Sequence, residues 1–284
     1  MDLNQNKANA ITLKKADNTK FAIHADAVLN RVTAYWFYIA VAGMWMFVAY
    51  IISLYFRAAI QGNFEGWNKV LAHGYEAGNT TGNLFLGAHL FFAAIITFSG
   101  TLQLIPHIRK YALAFHRWNG QLFILAAFAM GISGLYLENF GHRHVAGDLS
   151  QRIAVSINGI LILYFAALTL RYALARKIDI HRRWALRLFL VVNGTWFFRI
   201  GLMLWIFLTN GAGIHWETFS GPFMTTWNFG QYLFPLAVLE IYFYAQYSKR
   251  IYIKFLMSGI LLLLTLVMGT GIYRAFTGLW LPRM

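Results

Sequence analysis

The chain of 284 residues contains no cysteine. That excludes structural disulfides, thiolate metal sites and covalent c-type haem attachment, and leaves the redox compartment open. Charged residues are scarce at 12%, against the quarter usual in soluble domains, while hydrophobic residues reach 59%. Acidic residues number 10 and prolines 4. Strictly alternating apolar and polar runs are missing, which excludes a membrane β-barrel. No G-x-S-x-G elbow, H-E-x-x-H pair, nucleotide-binding loop or pair of carboxylates on one helical face occurs, so a soluble-type hydrolase is a poor reading. A cleavable leader is not expected, because about thirty polar-to-mixed residues precede the first apolar block.

The apolar residues are gathered into seven long blocks, at about 32–56, 84–105, 117–137, 152–174, 184–208, 229–247 and 251–276. A span needs about 20 residues at 1.5 Å per residue, and backbone groups in lipid must pair within their own segment. The expected fold is therefore all-α, a polytopic bundle of seven transmembrane helices over 31–284 behind a polar, mobile tail at 1–30. Within that tail "DAVLNRV" is expected as a short interfacial helix. Threading the chain back and forth puts 17 of the 24 Lys and Arg on the side of the N-terminus and 6 on the other, with Arg199 inside a span. This asymmetry predicts a cytoplasmic N-terminus and an outer C-terminus in the inner membrane. It also explains the net charge of +14. The cations meet anionic phospholipid head groups at the cytoplasmic face, and nucleic acid is not an expected partner. Tyr35, Trp36, Trp118, Trp184, Trp216, Trp227, Tyr244, Tyr247 and Trp280 sit near block ends as an aromatic belt. The outer loop 57–83, rich in Gly with Trp67 and Tyr75, is expected to fold over the outer mouth.

Two short stretches stand just before apolar runs: "HRW" at 116–118 and "HRRW" at 181–184. Their arginines and tryptophans suit interfacial anchoring, and their histidines invite a second reading. Few ionisable groups lie within the blocks. Arg199 and Glu240 fall near mid-depth, and a buried ion pair between them is expected. His89 stands alone on an apolar face of the second block, the usual setting of a hydrogen-bonded packing residue, with Gln103 on nearly the same face. His181 and Arg199 are eighteen residues apart, which in a regular helix places them on one face. Between them Asn193, Gly194 and Thr195 interrupt the apolar run.

"GAHLFFAAIITFSGTLQLIP", "FHRWNGQLF" and "DIHRRWALR", with Arg199 and Glu240 downstream, resemble a bacterial family of predicted membrane proteins catalogued as a domain of unknown function, family 2306. The resemblance spans about 84–245 and implies a helical membrane domain without an assigned activity. Asn119 stands where the family more often has an aliphatic residue, and Ala185 where methionine is frequent.

Three functions follow from different features, and catalysis by this chain is left open. In the first, His116 and His181 ligate a b-type haem, with Arg117, Arg182 and Arg183 as propionate partners, for transmembrane electron transfer. In the second, His89, Arg199 and Glu240 line the path of a proton-linked small-solute transporter, with Pro235 and Asn193-Gly194 breaking helices. In the third, the chain is a non-catalytic sensor or subunit of a membrane complex, its protein partner unspecified, making contact through the loops 57–83 and 211–227. His142 and His144, with Asp148, are a fainter metal candidate.

Overall fold

The computed structural model describes residues 3–71, 74–140 and 148–284, with side chains from residue 21 onward. Ten α-helices follow in order: α1 (Leu3–Ile51), α2 (Arg57–Ile60), α3 (Thr80–Leu104), α4 (Pro106–Tyr111), α5 (Leu113–Asn139), α6 (Leu149–Leu174), α7 (Ile178–Val192), α8 (Gly194–Thr209), α9 (Pro222–Tyr247) and α10 (Ile251–Ala275). No strand occurs among the described residues. "DAVLNRV" is not a separate short helix but lies inside α1. Two π-helical turns extend the long helices, Ile52–Phe56 after α1 and Phe276–Trp280 after α10.

Five helical segments are long and apolar enough to cross a membrane: Phe21–Ile60, Thr80–Leu104, Leu113–Asn139, Leu149–Leu174 and Ile251–Arg283. A sixth is the pair α7 and α8, bent by 52° at their junction. Of the seven spans expected, five qualify among the described residues, or six with the bent pair. α9 has the length, at 26 residues, but Asn228, Gln231, Glu240 and Gln246 make it too polar to qualify. Large apolar side chains such as Leu125, Ile132, Ile160, Leu263 and Leu266 stand exposed, as lipid-facing residues do.

Local chemistry sets the helix ends. The Asn79 side chain accepts from the Gly82 amide and caps α3, which gives "NTTG" a structural use. Asp148 caps α6 by accepting from the Ser150 and Gln151 amides. Pro106 opens α4 and holds Ile105 extended, so the chain turns sharply between α3 and α5. Asn210 ends α8 in the left-handed region, at φ 54°.

The helices fall into two compact units. The first comprises Met1–Ala40 and Ala237–Gly269. Leu29, Ala245, Met257 and Leu261 form its core, and the Lys254 ammonium pairs with the Asp26 carboxylate. The second comprises Val41–Leu236 and Thr270–Met284. In it α3, α5, α6 and α7 pack in sequence as neighbours around Ile96, Phe123, Ala126, Ile162, Ala166, Leu188 and Val191. Small residues let these helices approach, as interhelical contact in lipid requires. A Cβ on Gly131 would meet Leu163 at 2.7 Å, and one on Gly159 would meet Leu135 at 2.9 Å. In the same unit α8 lies against the end of α10, where a Cβ on Gly271 would stand 2.8 Å from the Ile200 carbonyl oxygen.

Candidate functional site

His116 begins α5 and His181 begins α7, so the antiparallel run α5–α6–α7 brings both imidazoles to one end of the four-helix core. They lie within electrostatic reach of each other. His181 Nδ1 is 2.9 Å from the Thr169 carbonyl oxygen on α6. A carbonyl can only accept, so Nδ1 carries the hydrogen, and in the neutral imidazole Nε2 is the nitrogen left with a lone pair. That is how a metal-ligating imidazole is oriented by its neighbours. His116 Nδ1 is buried and has no hydrogen-bond partner.

Two side-chain amides fix the first turn of α5 on α3. Gln103 Nε2 donates to the His116 carbonyl at 2.9 Å, and Asn119 Nδ2, buried, donates to the Ser99 carbonyl at 2.9 Å. Gln103 therefore positions the backbone of His116 rather than lining a path. Asn119 is a residue that sequence reasoning noted only as a departure from the family pattern. Arg117 and Arg182 are exposed, and Arg183 is half-buried. The Arg187 guanidinium stacks on the Trp184 ring at 4.6 Å, and that ring packs on Phe165 at 5.4 Å.

A bare metal ion would need three or more protein ligands, and no cluster of three His, Asp or Glu suited to one occurs among the described residues. Haem brings four nitrogens of its own and asks the protein for two axial ligands. His116 and His181 are two imidazoles at one end of the bundle, and Arg117, Arg182 and Arg183 are cations on the same helix ends.

His89 does not join them. Its Nδ1 lies 3.0 Å from Ser133 Oγ, and that hydroxyl gives its one hydrogen to the Ala129 carbonyl at 2.6 Å. The imidazole must then be the donor, and it ties α3 to α5.

The shared face expected for His181 and Arg199 does not exist, because the helix between them is broken. Asn193 Nδ2 donates to the Phe189 carbonyl at 2.8 Å, and Asn158 Nδ2 from α6 donates to the Val191 carbonyl at 3.2 Å. Both carbonyls belong to the last turn of α7, where a continuing helix would have supplied backbone donors. Asn158 and Gln231 both reach Gly194, within 3.2 and 3.5 Å of where its Cβ would stand. Arg199 belongs to the second unit, its guanidinium over the Phe47 ring at 5.2 Å, whereas Glu240 belongs to the first. His142 and His144 lie outside the described residues.

A chain of apolar helices, several long enough to cross a bilayer, around a core pinned by buried amides is a multi-pass membrane protein. Residues 86–219 match the family described as a predicted membrane protein (DUF2306), the family that the His89, "HRW" and "HRRW" motifs resemble. The match covers α5, α6, α7 and α8 and most of α3, and so includes both rim histidines. No curated protein and no solved structure matches the chain.

Proposed function

We propose that the protein is a transmembrane electron carrier for one b-type haem at the shared end of α5 and α7, which His116 and His181 would hold. The observation that carries this reading is the His181 Nδ1 bond to the Thr169 carbonyl, with His116 within electrostatic reach across the bundle end. When bound, haem supplies a one-electron centre. Thr169 holds the His181 ring in one tautomer. Gln103 and Asn119 hold the turn that carries His116. Arg117, Arg182 and Arg183 neutralise propionate charge. The histidine end faces the cytoplasm of a cell with the protein in its inner membrane, the C-terminus outside, and anionic lipid phosphates meeting Arg109, Lys110, Arg117, Arg176 and Lys177. The excess of Lys and Arg on that side supports this orientation.

The test is an absorption spectrum of full-length protein purified after expression with a haem precursor. A Soret band with sharp reduced α and β bands is expected, and it should vanish in both His116→Ala and His181→Ala. Protein that is folded and spectrally silent sinks the reading. A C-terminal reporter that is active only on the cytoplasmic side refutes the orientation.

One observation favours a second reading, proton-linked transport of a small solute. The α7–α8 break, lined by Asn158, Asn193 and Gln231, resembles the discontinuous helices of transporters. Flux in proteoliposomes that falls in Asn193→Leu would support it. Its absence across a broad solute panel would remove it.

A further inference from the structure

A second cluster in the same unit shares no residue with the histidine end. The indole N–H of Trp280 is buried with no hydrogen-bond partner, and the hydroxyls of Tyr50 and Tyr55, also buried, have none but each other. Their residues are at most 2% exposed. The rings touch: Tyr50 meets Tyr55 edge-on at 6.2 Å and stacks on Trp280 at 6.4 Å, and Phe47 lies 5.4 Å from Trp280. Over Phe47 stands the Arg199 guanidinium, at 5.2 Å and within electrostatic reach of the Tyr55 hydroxyl. Among the described residues of this unit no carboxylate pairs with Arg199. Buried polar groups are nearly always paired, and intramembrane cations are usually compensated. An orphaned indole and a hydroxyl pair with no outside partner, gathered beside one cation, depart from the first rule in one place.

The backbone is unusual at the same place. Tyr55 lies in the π-helical turn Ile52–Phe56, and Trp280 in the π-helical turn Phe276–Trp280. Such turns hold well under 1% of residues and gather at functional sites. Each adds a residue to its turn and so re-aims the side chains it carries. From the following loop the Trp67 indole donates to the Tyr55 carbonyl at 3.0 Å, which fixes the first of the two turns.

We propose that this cluster binds a lipophilic molecule presenting acceptor oxygens, of the kind a long-chain carboxylate or a quinone carries. The donor inventory dictates the class. Guanidinium and indole nitrogens only donate, and the hydroxyl pair keeps one hydrogen to give, so the complement is an acceptor that offers none. Aromatic walls within a membrane-crossing segment require that the acceptor sit on an apolar body. The site stands or falls independently of haem.

The test uses full-length protein in detergent, titrated separately with decanoate below its micellar concentration and with a decyl-substituted benzoquinone, while the thermal midpoint is read. At least one ligand should give a saturable rise. The double variant Tyr50→Phe/Tyr55→Phe keeps both rings and should weaken that ligand at least tenfold, while Tyr35→Phe, at an exposed tyrosine, leaves it unchanged. Arg199→Met should weaken the carboxylate more than the quinone. A response to decanoate alone assigns a carboxylate, and one to the quinone alone a carbonyl ligand. No saturable rise with either, or a rise unaltered in the double phenylalanine variant, overturns the proposal. Because phenylalanine replaces tyrosine without loss of volume, that variant decides the matter even if Arg199→Met fails to fold.

Discussion

Replacing Gln103 and Asn119 together by leucine should loosen α5 from α3 at the turn that carries His116. Each amide makes one interhelical bond at 2.9 Å, and the Asn119 bond is buried. In membrane bundles such side-chain bonds average about 0.6 kcal/mol and reach about 1.7 at most. Two of them give about 1.2 kcal/mol, or roughly one decade in the folding equilibrium at 1.4 kcal/mol per decade. Leucine leaves no orphaned amide behind, so the loss reflects the bonds themselves and not a stranded polar group. Equilibrium unfolding in mixed micelles, followed by tryptophan fluorescence, reads the change. The single variants should each lose about half of it. The two sites hold neighbouring turns of the same helix pair, so modest coupling between them is expected. A double variant as stable as the parent would refute the idea that these amides pin the helices. A loss much beyond 3 kcal/mol would show instead that leucine cannot be accommodated there.

Three further outcomes follow from the packing and the caps. Gly271→Val should destabilise by about 1–3 kcal/mol, because a Cβ there meets the Ile200 backbone carbonyl, which cannot move aside, whereas Gly259→Ala, with open space, should be neutral or stabilising in the same thermal assay. Asp26→Ala should cost more than Lys254→Met, since the first strands a mostly buried ammonium and the second only a half-exposed carboxylate, and joining the two changes should recover part of the loss, measurable as a double-mutant cycle. The Ser150 hydroxyl, with the Gln151 and Ser150 amides, holds the Asp148 carboxyl below the usual carboxylate range. A carboxyl depressed on folding stabilises above its unfolded pKa and loses that contribution as pH falls through the folded value. Asp148→Ala should therefore cost about 1 kcal/mol near neutral pH and progressively less in acid, read as thermal midpoint against pH.

Much of the architecture was legible because lipid imposes one rule, a long apolar helix, and the blocks around α3, α5, α6 and α10 obey it with little room for choice. α9 misled for the same reason. Its apolar residues suggest a span, while Asn228, Gln231, Glu240 and Gln246 lower its hydropathy. The break at Asn193 showed as an interruption, but its geometry depends on Asn158, a residue of another helix that no local pattern connects to it. Counting 100° steps from His181 to Arg199 assumed a straight rod, and the bend removed the premise. The histidines at one rim could be paired by topology. The Thr169 carbonyl that orients His181 is backbone and leaves no mark in a sequence. Tyr50 and Tyr55 were absorbed into an apolar block and Trp280 into the aromatic belt, because π-helical turns have no compositional signal.

The bend at Asn193 also resolves a problem of length. α7 and α8 hold 15 and 16 residues, and laid end to end as one rod they would reach about 46 Å, far beyond the ~30 Å of hydrocarbon they have to suit. A straight helix of that size would have to lean steeply or thicken the surrounding lipid. Folded at the joint, the same residues have a shorter reach without a proline, and two side-chain amides, Asn158 and Asn193, take up carbonyls of the last turn before the bend.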